Sequence, residues 1–284
     1  MKDEGLALQH FLAAGAAALV LLPTAARAQD APADADRDTV TIGLGAAVVP
    51  TYEGSDNSRL IPAAVARGSV SGFDFTLAGT NLYVDLVREP ADAVDFSFGP
   101  VVGVNLNRTS RKVGDARVRA LGKLDTAVEL GGYVGIGKTG IITSAYDTLS
   151  FSIAYQRDVA GAHDSYVITP SLSYGTPLST RTYVGLSLSS EYVGDKYADY
   201  YFSISPAAAL ASGLPAYRAR GGFKDASISL LGAQSLSGDL RRGWGLFGIV
   251  SYSRLLGDFR DSPTVSVAGS PNQWFGALGV NYTF

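Results

Sequence analysis

From Thr39 to the end of the chain, apolar residues alternate with small or polar ones at a period of two, interrupted by clusters of Gly, Pro, Asn and Asp. The stretch Gln273 to Phe284 shows this most clearly. Trp274, Leu278, Val280, Tyr282 and Phe284 share one face with Gly276, while Phe275, Ala277, Gly279, Asn281 and Thr283 share the other. A tilted strand of about 9 to 11 residues crosses a bilayer, and lipid accepts strands only in a closed barrel that leaves no backbone group unpaired. The last strand of a soluble sandwich would alternate in the same way, so the rest of the chain must decide.

The same period predicts strands over Val40–Val48, Arg59–Arg67, Phe73–Leu77, Leu82–Leu86, Val94–Asn107, Leu124–Gly131, Leu149–Gln156, Tyr166–Tyr174, Val184–Tyr192, Ala226–Leu230 and Trp244–Tyr252, before the terminal one. Gly79-Thr80 shifts the phase between two short members, as a tight turn or a bulge. An outer-membrane barrel begins and ends in the periplasm and has long loops only outside, so its strand number is even. Twelve strands place the connections 108–123, 193–222 and 257–272 at one end; ten is the alternative if the first short hairpins form a loop or plug. The expected fold is therefore all-β, a transmembrane antiparallel β-barrel with short periplasmic turns and longer extracellular loops. Pro62, Pro100 and Pro170 each remove a ladder hydrogen bond, and bulges are expected there.

The N-terminus favours the membrane. Phe11 to Leu22 is an apolar run followed by Pro23 and the small-x-small triplet Ala26-Arg27-Ala28, the form of a secretory signal peptide. Cleavage after Ala28 leaves an acidic tail, 29–38, with nothing to bury, and then the barrel, 39–284. Export without a second long apolar run points to the cell envelope, and the barrel pattern to the outer membrane. Cysteine is absent, so disulfides, thiolate nucleophiles and thiolate metal sites are excluded. A formal net charge of −3 gives no reason to expect nucleic acid. Charged residues at 17% fall below the roughly 25% of soluble domains, which suits a barrel with tyrosine girdles and small residues inside.

Candidate chemistry is sparse. His163, in His163-Asp164-Ser165, is the one histidine after the leader, and adjacent strand residues point apart, so it reads as a solvated loop residue rather than a triad member. Asp195, Asp199, Asp225 and Asp258 read as solvated loop charges. No phosphate loop or metal-ligand spacing stands out, and no cofactor is expected. The loop carrying Arg108, Arg111, Lys112, Arg117, Arg119 and Lys123 against Asp115 alone is a candidate lipopolysaccharide contact through charge-assisted hydrogen bonds to phosphate. Inward positions are mostly Gly, Ser, Ala and Thr with Asp95, Asp125, Glu129, Gln156 and Glu191 among them, room enough for water in a diffusion pore. Facing the periplasm, Arg88, Lys138, Arg241 and Arg242 are candidate protein contacts.

Taken in order, Gly43-Leu44-Gly45, Pro50-x-Tyr52-Glu53-Gly54-Ser55-Asp56, Gly99-Pro100, Val128-Glu129-Leu130-Gly131-Gly132, Tyr200-Tyr201-Phe202, Ser212-Gly213-Leu214, Asp261-Ser262-Pro263 and Tyr282-Thr283-Phe284 resemble the MipA/OmpV family of outer-membrane proteins. The resemblance implies an outer-membrane barrel. It suggests a scaffold role, joining a murein-hydrolysing lytic transglycosylase to a peptidoglycan synthase, with no catalytic residue to carry over and hence no enzyme activity. Adhesion and osmotic response are described for other members, and a passive pore or an outer-membrane lipid hydrolase are the readings from other classes. Trp274, Leu278, Val280, Tyr282 and Phe284 resemble the C-terminal insertion signal of such barrels.

Overall fold

The structure, a computed structural model, describes residues 38–87 and 94–284. The predicted leader, the tail up to residue 37 and Arg88 lie outside the described residues.

The strands are β1 (Thr39–Pro50), β2 (Ser58–Val70), β3 (Phe73–Ala78), β4 (Asn81–Asp85), β5 (Val94–Asn105), β6 (Ala127–Thr139), β7 (Thr148–Asp158), β8 (Tyr166–Pro177), β9 (Thr182–Ser189), β10 (Tyr192–Val193), β11 (Gly222–Phe223), β12 (Asp225–Ser235), β13 (Gly243–Leu255) and β14 (Asn272–Thr283). Two of the fourteen, β10 and β11, hold two residues each and sit in a loop; the other twelve form a closed antiparallel barrel. Each strand pairs with the next through β9, which pairs with β12, and β14 closes the ring on β1. The seam runs from Thr41↔Thr283 to Val48↔Gly276, and its two threonine hydroxyls lie 2.8 Å apart. At the tightest approaches only glycine fits: a Cβ on Gly131 would lie 1.7 Å from the Tyr155 carbonyl oxygen.

Alternation sorts the side chains as the pattern predicts. Outside, Leu44, Phe96, Phe98, Val134, Leu230 and Leu278 are exposed, while Thr41, Ala47, Val101, Ala154 and Thr283 are buried within. Trp274 packs on Tyr252 with ring centroids 5.0 Å apart at the loop end, and Tyr282 on Trp244 at 5.1 Å near the termini. Exposed apolar residues on most of the wall, bounded by aromatic pairs, make this a surface for lipid, and the protein is an outer-membrane β-barrel. No helix among the described residues is long and apolar enough to cross a membrane; the strands do so.

Three expectations change. The wall is continuous in register at all three prolines, without a bulge: Pro62 faces Ala46, Pro100 faces Gly132 and Pro170 faces Ile153. Each proline lies where its strand lacks or changes its second neighbour. Among the described residues no strand pairs with the other edge of β2 around Pro62, the β4–β5 ladder stops at Tyr83↔Val101 beside Pro100, and at Pro170 the partner of β8 passes from β9 to β10. The strand expected from Leu124 starts at Ala127, so Asp125 is exposed in a loop and does not face inward. The long connections also carry short helices: α1 (Ala116–Ala120), α2 (Asp195–Phe202), α3 (Pro206–Ser212), α4 (Gly257–Asp261) and α5 (Pro263–Ser266). Local signals set two of them. Asp115 caps α1 through the amides of Arg117 and Val118, and Ser205-Pro206 starts α3, which Gly213 ends at φ 73°.

Candidate functional site

The connections after β1, β5, β9 and β13 meet over the end of the barrel opposite the chain termini. Their apolar residues form two packed clusters. Val193, Tyr197, Ala198, Tyr201 and Phe202 of the α2 region pack on Phe259 and Val265; Tyr52, Val113, Val118, Ile204, Leu214 and Ala268 make the other. Polar ties fix these loops to one another. The Tyr52 hydroxyl donates to the carbonyls of Ala268 at 2.6 Å and Thr264 at 3.0 Å, and Ser262 Oγ donates to the Phe202 carbonyl at 2.6 Å. Gln273, at the start of β14, accepts from the Gly54 amide and donates to the Ser55 carbonyl, each at 3.2 Å.

Under this cap sits a buried charge cluster. Lys224, 3% exposed, has its Nζ 2.5 Å from Glu53 Oε1, in contact with Glu191 and 3.7 Å from Asp225 Oδ2. Tyr197 lies beside it, accepting from Nζ at 3.4 Å, and Asn107 holds Glu53 from the other side, accepting from its amide at 3.0 Å. Burial acts against the ammonium, but the Glu191 and Glu53 charges outweigh it and hold the Lys224 pKa well above its ordinary value. Burial also raises the Glu53 carboxyl, a shift that Lys224 opposes. One ammonium thus joins the β1–β2 loop, the end of β9 and the start of β12. Three carboxylate oxygens here lie within 4.8 Å of one another, but the lysine already holds the space between them.

A second polar knot corrects the reading of His163, which is buried and not solvated. Its Nδ1 accepts from the Ser165 amide at 3.2 Å, so Nε2 carries the proton and donates to Glu129 at 3.1 Å. Its ring lies 5.0 Å from Tyr197, tying the β7–β8 turn to α2. Both ring nitrogens are therefore engaged, neither by a serine hydroxyl. Asp225, expected as a solvated charge, is buried in the lysine cluster; Asp195 and Asp258 instead accept loop amides from Gly221 at 2.8 Å and Arg220 at 3.0 Å.

The basic loop splits. Arg108 is buried, with Nη1 donating to the Tyr201 carbonyl at 3.3 Å, so it anchors the cap and faces no lipopolysaccharide. Arg117 is spoken for by Asp115 at 2.8 Å and by the Val267 carbonyl at 3.1 Å. Arg111, Lys112, Arg119 and Lys123 are exposed at the outer rim. At the opposite end Lys138, Arg241 and Arg242 are exposed near the turns. Ile141, Ile142, Leu178 and Leu236 join them there, exposed apolar residues that a search for charge passes over. Trp274, Leu278, Val280 and Phe284 are exposed on the lipid face, with Tyr282 half-buried between Trp244 and Phe284.

Among the described residues, cavities lie at either end of the interior. The outer one holds about 830 Å³ of empty space, part of it continuous with solvent, and is lined by Glu53, Arg59, Asn107, Glu191, Lys224, Gln273 and the serines of β12 and β13. The other opens toward the termini beside Arg67, Gln234, Asp239 and Asn281. Between them Tyr183, Leu231, Phe247 and Ile249 project inward, with Val65 and Phe275 packed against them.

A family model described as MltA-interacting protein MipA matches residues 42–284. No curated protein matches the chain. Among solved structures, the COG4313 outer membrane channel from Pseudomonas putida F1 is 12% identical at a TM-score of 0.46, covering 90% of this chain and 100% of that one. The toluene transporter TodX from Pseudomonas putida is 10% identical at 0.36, covering 89% of each. OmpT of Vibrio cholerae is 8% identical at 0.34, covering 87% of this chain and 97% of that one.

Proposed function

The chain belongs to the MltA-interacting protein MipA family, and from that premise we propose that it works by contact, as an envelope scaffold for a murein-hydrolysing lytic transglycosylase and a peptidoglycan synthase. The observation that carries this reading is the packed cap of loops over the outer end of the barrel. Four loops packed on buried aromatics and pinned by Lys224 oppose free passage of solutes, so the barrel is better suited to presenting surface than to conducting. Peptidoglycan lies on the periplasmic side, and so must the contact.

That side offers the turns 140–147, 178–181 and 236–242. Asp147 builds the first: its carboxylate accepts the amides of Ile141 at 2.7 Å and Ile142 at 3.0 Å, and that of Thr143, presenting both isoleucines to the outside. With Leu178, Leu236, Arg241 and Arg242 these make an apolar patch edged by positive charge. A standard interface takes roughly 800 Å² per partner, so several turns must act together, with the acidic tail contributing. Binding is then weak and salt-sensitive. The test is capture of a purified lytic transglycosylase on the immobilised full-length barrel. The wild type retains it at low salt, and Ile142→Asp with Arg241→Glu and Arg242→Glu loses most of it; equal retention by both refutes the assigned surface, and no retention by the wild type refutes the scaffold.

A further inference from the structure

Charge on the lipid-facing wall has one sign. Among the described residues, the exposed charged side chains within the strands are Lys138 near the periplasmic turns and Arg157 and Arg254 at the outer end, with no exposed carboxylate beside them in the wall. Each arginine stands above an aromatic pair. Arg157 is two residues beyond Tyr155, whose ring stacks on Tyr166 at 6.1 Å, and Arg254 is two residues beyond Tyr252, which packs on Trp274. Girdle aromatics sit at the headgroup level of a bilayer, and two residues of a tilted strand rise about 5 Å, so both guanidinium groups reach the layer of lipid phosphates.

The two differ in what surrounds them. Arg157 lies 3.7 Å from Asp164, which also holds Lys196, and around the cap Arg117, Arg220 and Arg260 are each matched by an aspartate. Arg254 takes part in no ion pair among the described residues. It faces Asn272 across the β13–β14 ladder. Asn272 Oδ1 accepts from the Tyr252 hydroxyl at 2.7 Å, which fixes the amide and leaves Nδ2 as a donor beside the guanidinium. Below them the lipid face of β14 has no side chain at Gly276, where a Cβ would meet only the Ile249 carbonyl oxygen, at 4.0 Å. Val48 and Val250 are its register partners on either side, and Trp274 and Leu278 flank it along the strand, all four exposed. Gly276 is thus the floor of an apolar notch. Its valine walls stand two strand spacings apart, roughly 10 Å, wide enough for one alkyl chain.

We propose that this face of β13 and β14 binds a phosphate-headed glycolipid of the outer leaflet, the lipid anchor of lipopolysaccharide, with a phosphate on Arg254 and Asn272 Nδ2 and an acyl chain laid over Gly276. The planar guanidinium fork matches phosphate oxygens bidentately, and the notch below holds the chain that follows. The site lies on the barrel wall and not in the basic loop above it. It is at the opposite end from the periplasmic contact and stands or falls separately from the scaffold reading.

The chain holds two tryptophans, Trp274 beside the site and Trp244 at the far end of β13, so Trp244→Phe leaves one reporter in place. In that background, with the full-length barrel in a zwitterionic detergent, lipid A is expected to be retained in native mass spectrometry and to shift the Trp274 emission saturably. Arg254→Gln weakens retention about tenfold and Arg254→Lys less. Gly276→Leu, which fills the notch without changing charge, weakens it several-fold. Changing Arg111, Lys112, Arg119 and Lys123 together to Gln leaves it nearly unchanged. Heat-modifiability gels establish that each variant is folded. No retention, retention without a Trp274 response, indifference to Arg254→Gln in the folded protein, or loss only in the loop variant overturns the site. Equal retention of lipid A stripped of its phosphates overturns phosphate as the group recognised, and equal retention of phosphatidylglycerol overturns the choice of glycolipid.

Discussion

The Lys224 ammonium lies 2.5 Å from the Glu53 carboxylate, joining the first outer loop to the strand that follows the longest one. Around that contact the cap closes. Removing one partner of a buried ion pair leaves the other charge uncompensated at a cost of about 3–5 kcal/mol.

Lys224→Met is therefore expected to lower the thermal unfolding midpoint and to open the cap to protease while the twelve-strand wall stays folded. Pairing it with Glu53→Gln removes one stranded charge and recovers part of the loss. Limited proteolysis at α2 and α3, followed by a heat-modifiability gel, separates cap from wall.

Asp147 sets an acid limit on the turn 140–147. Burial acts to raise its carboxyl pKa, but hydrogen bonds from the amides of Thr143, Ile141 and Ile142 and the Tyr174 hydroxyl prevail and hold it far below the ordinary aspartate range. A depressed carboxyl stabilises the folded turn fully above its unfolded pKa and loses that contribution as pH falls through the folded one. Hydrogen exchange at Ile141 and Ile142 should thus keep its protection from pH 7 to pH 4 and lose it only well below pH 3.8. Asp147→Asn should weaken that protection at every pH.

Topology gives a third expectation. Epitopes inserted at Gly122 and Gly213, both at positive φ in the long loops, should be bound by antibody on intact cells, whereas one in the turn 178–181 should need permeabilisation. Exposure of the reverse set would invert the barrel.

Assembly gives a fourth. Phe284 is exposed, caps the Tyr282 ring at 4.8 Å and donates its amide to the Val40 carbonyl at 2.9 Å, so it belongs both to the seam and to the aromatic girdle. Phe284→Ser should reduce heat-modifiable barrel in the outer membrane several-fold; an unchanged amount would remove the C-terminus from any role in insertion.

The wall was legible because a strand in lipid obeys one rule along its whole length. Trp274, Leu278 and Val280 fall on the lipid face by period alone, and loop-length parity yields twelve strands even though β3 and β4 are too short to span. The cap was not legible because its contacts join residues far apart in sequence. Nothing local marks His163 as the partner of Glu129, or Lys224 as the partner of Glu53 and Glu191. The α2 sequence, with Tyr197, Tyr201 and Phe202 buried, is too short to show a helical period within a long loop. Arg108 looked like its basic neighbours, yet its φ of 57° and its bond to Tyr201 turn it inward. The prolines misled for a similar reason: ladder hydrogen bonding is not uniform along the wall, and Pro100 and Pro170 lie where a ladder stops or changes partner.

The central claim is that the mouth is closed and that the barrel acts by contact. Single-channel recording in planar bilayers tests it most directly. Wild-type protein is expected to show no stable conductance steps, and Lys224→Met to show them once the cap loosens; steady steps from the wild type, unchanged by Lys224→Met, would contradict the account.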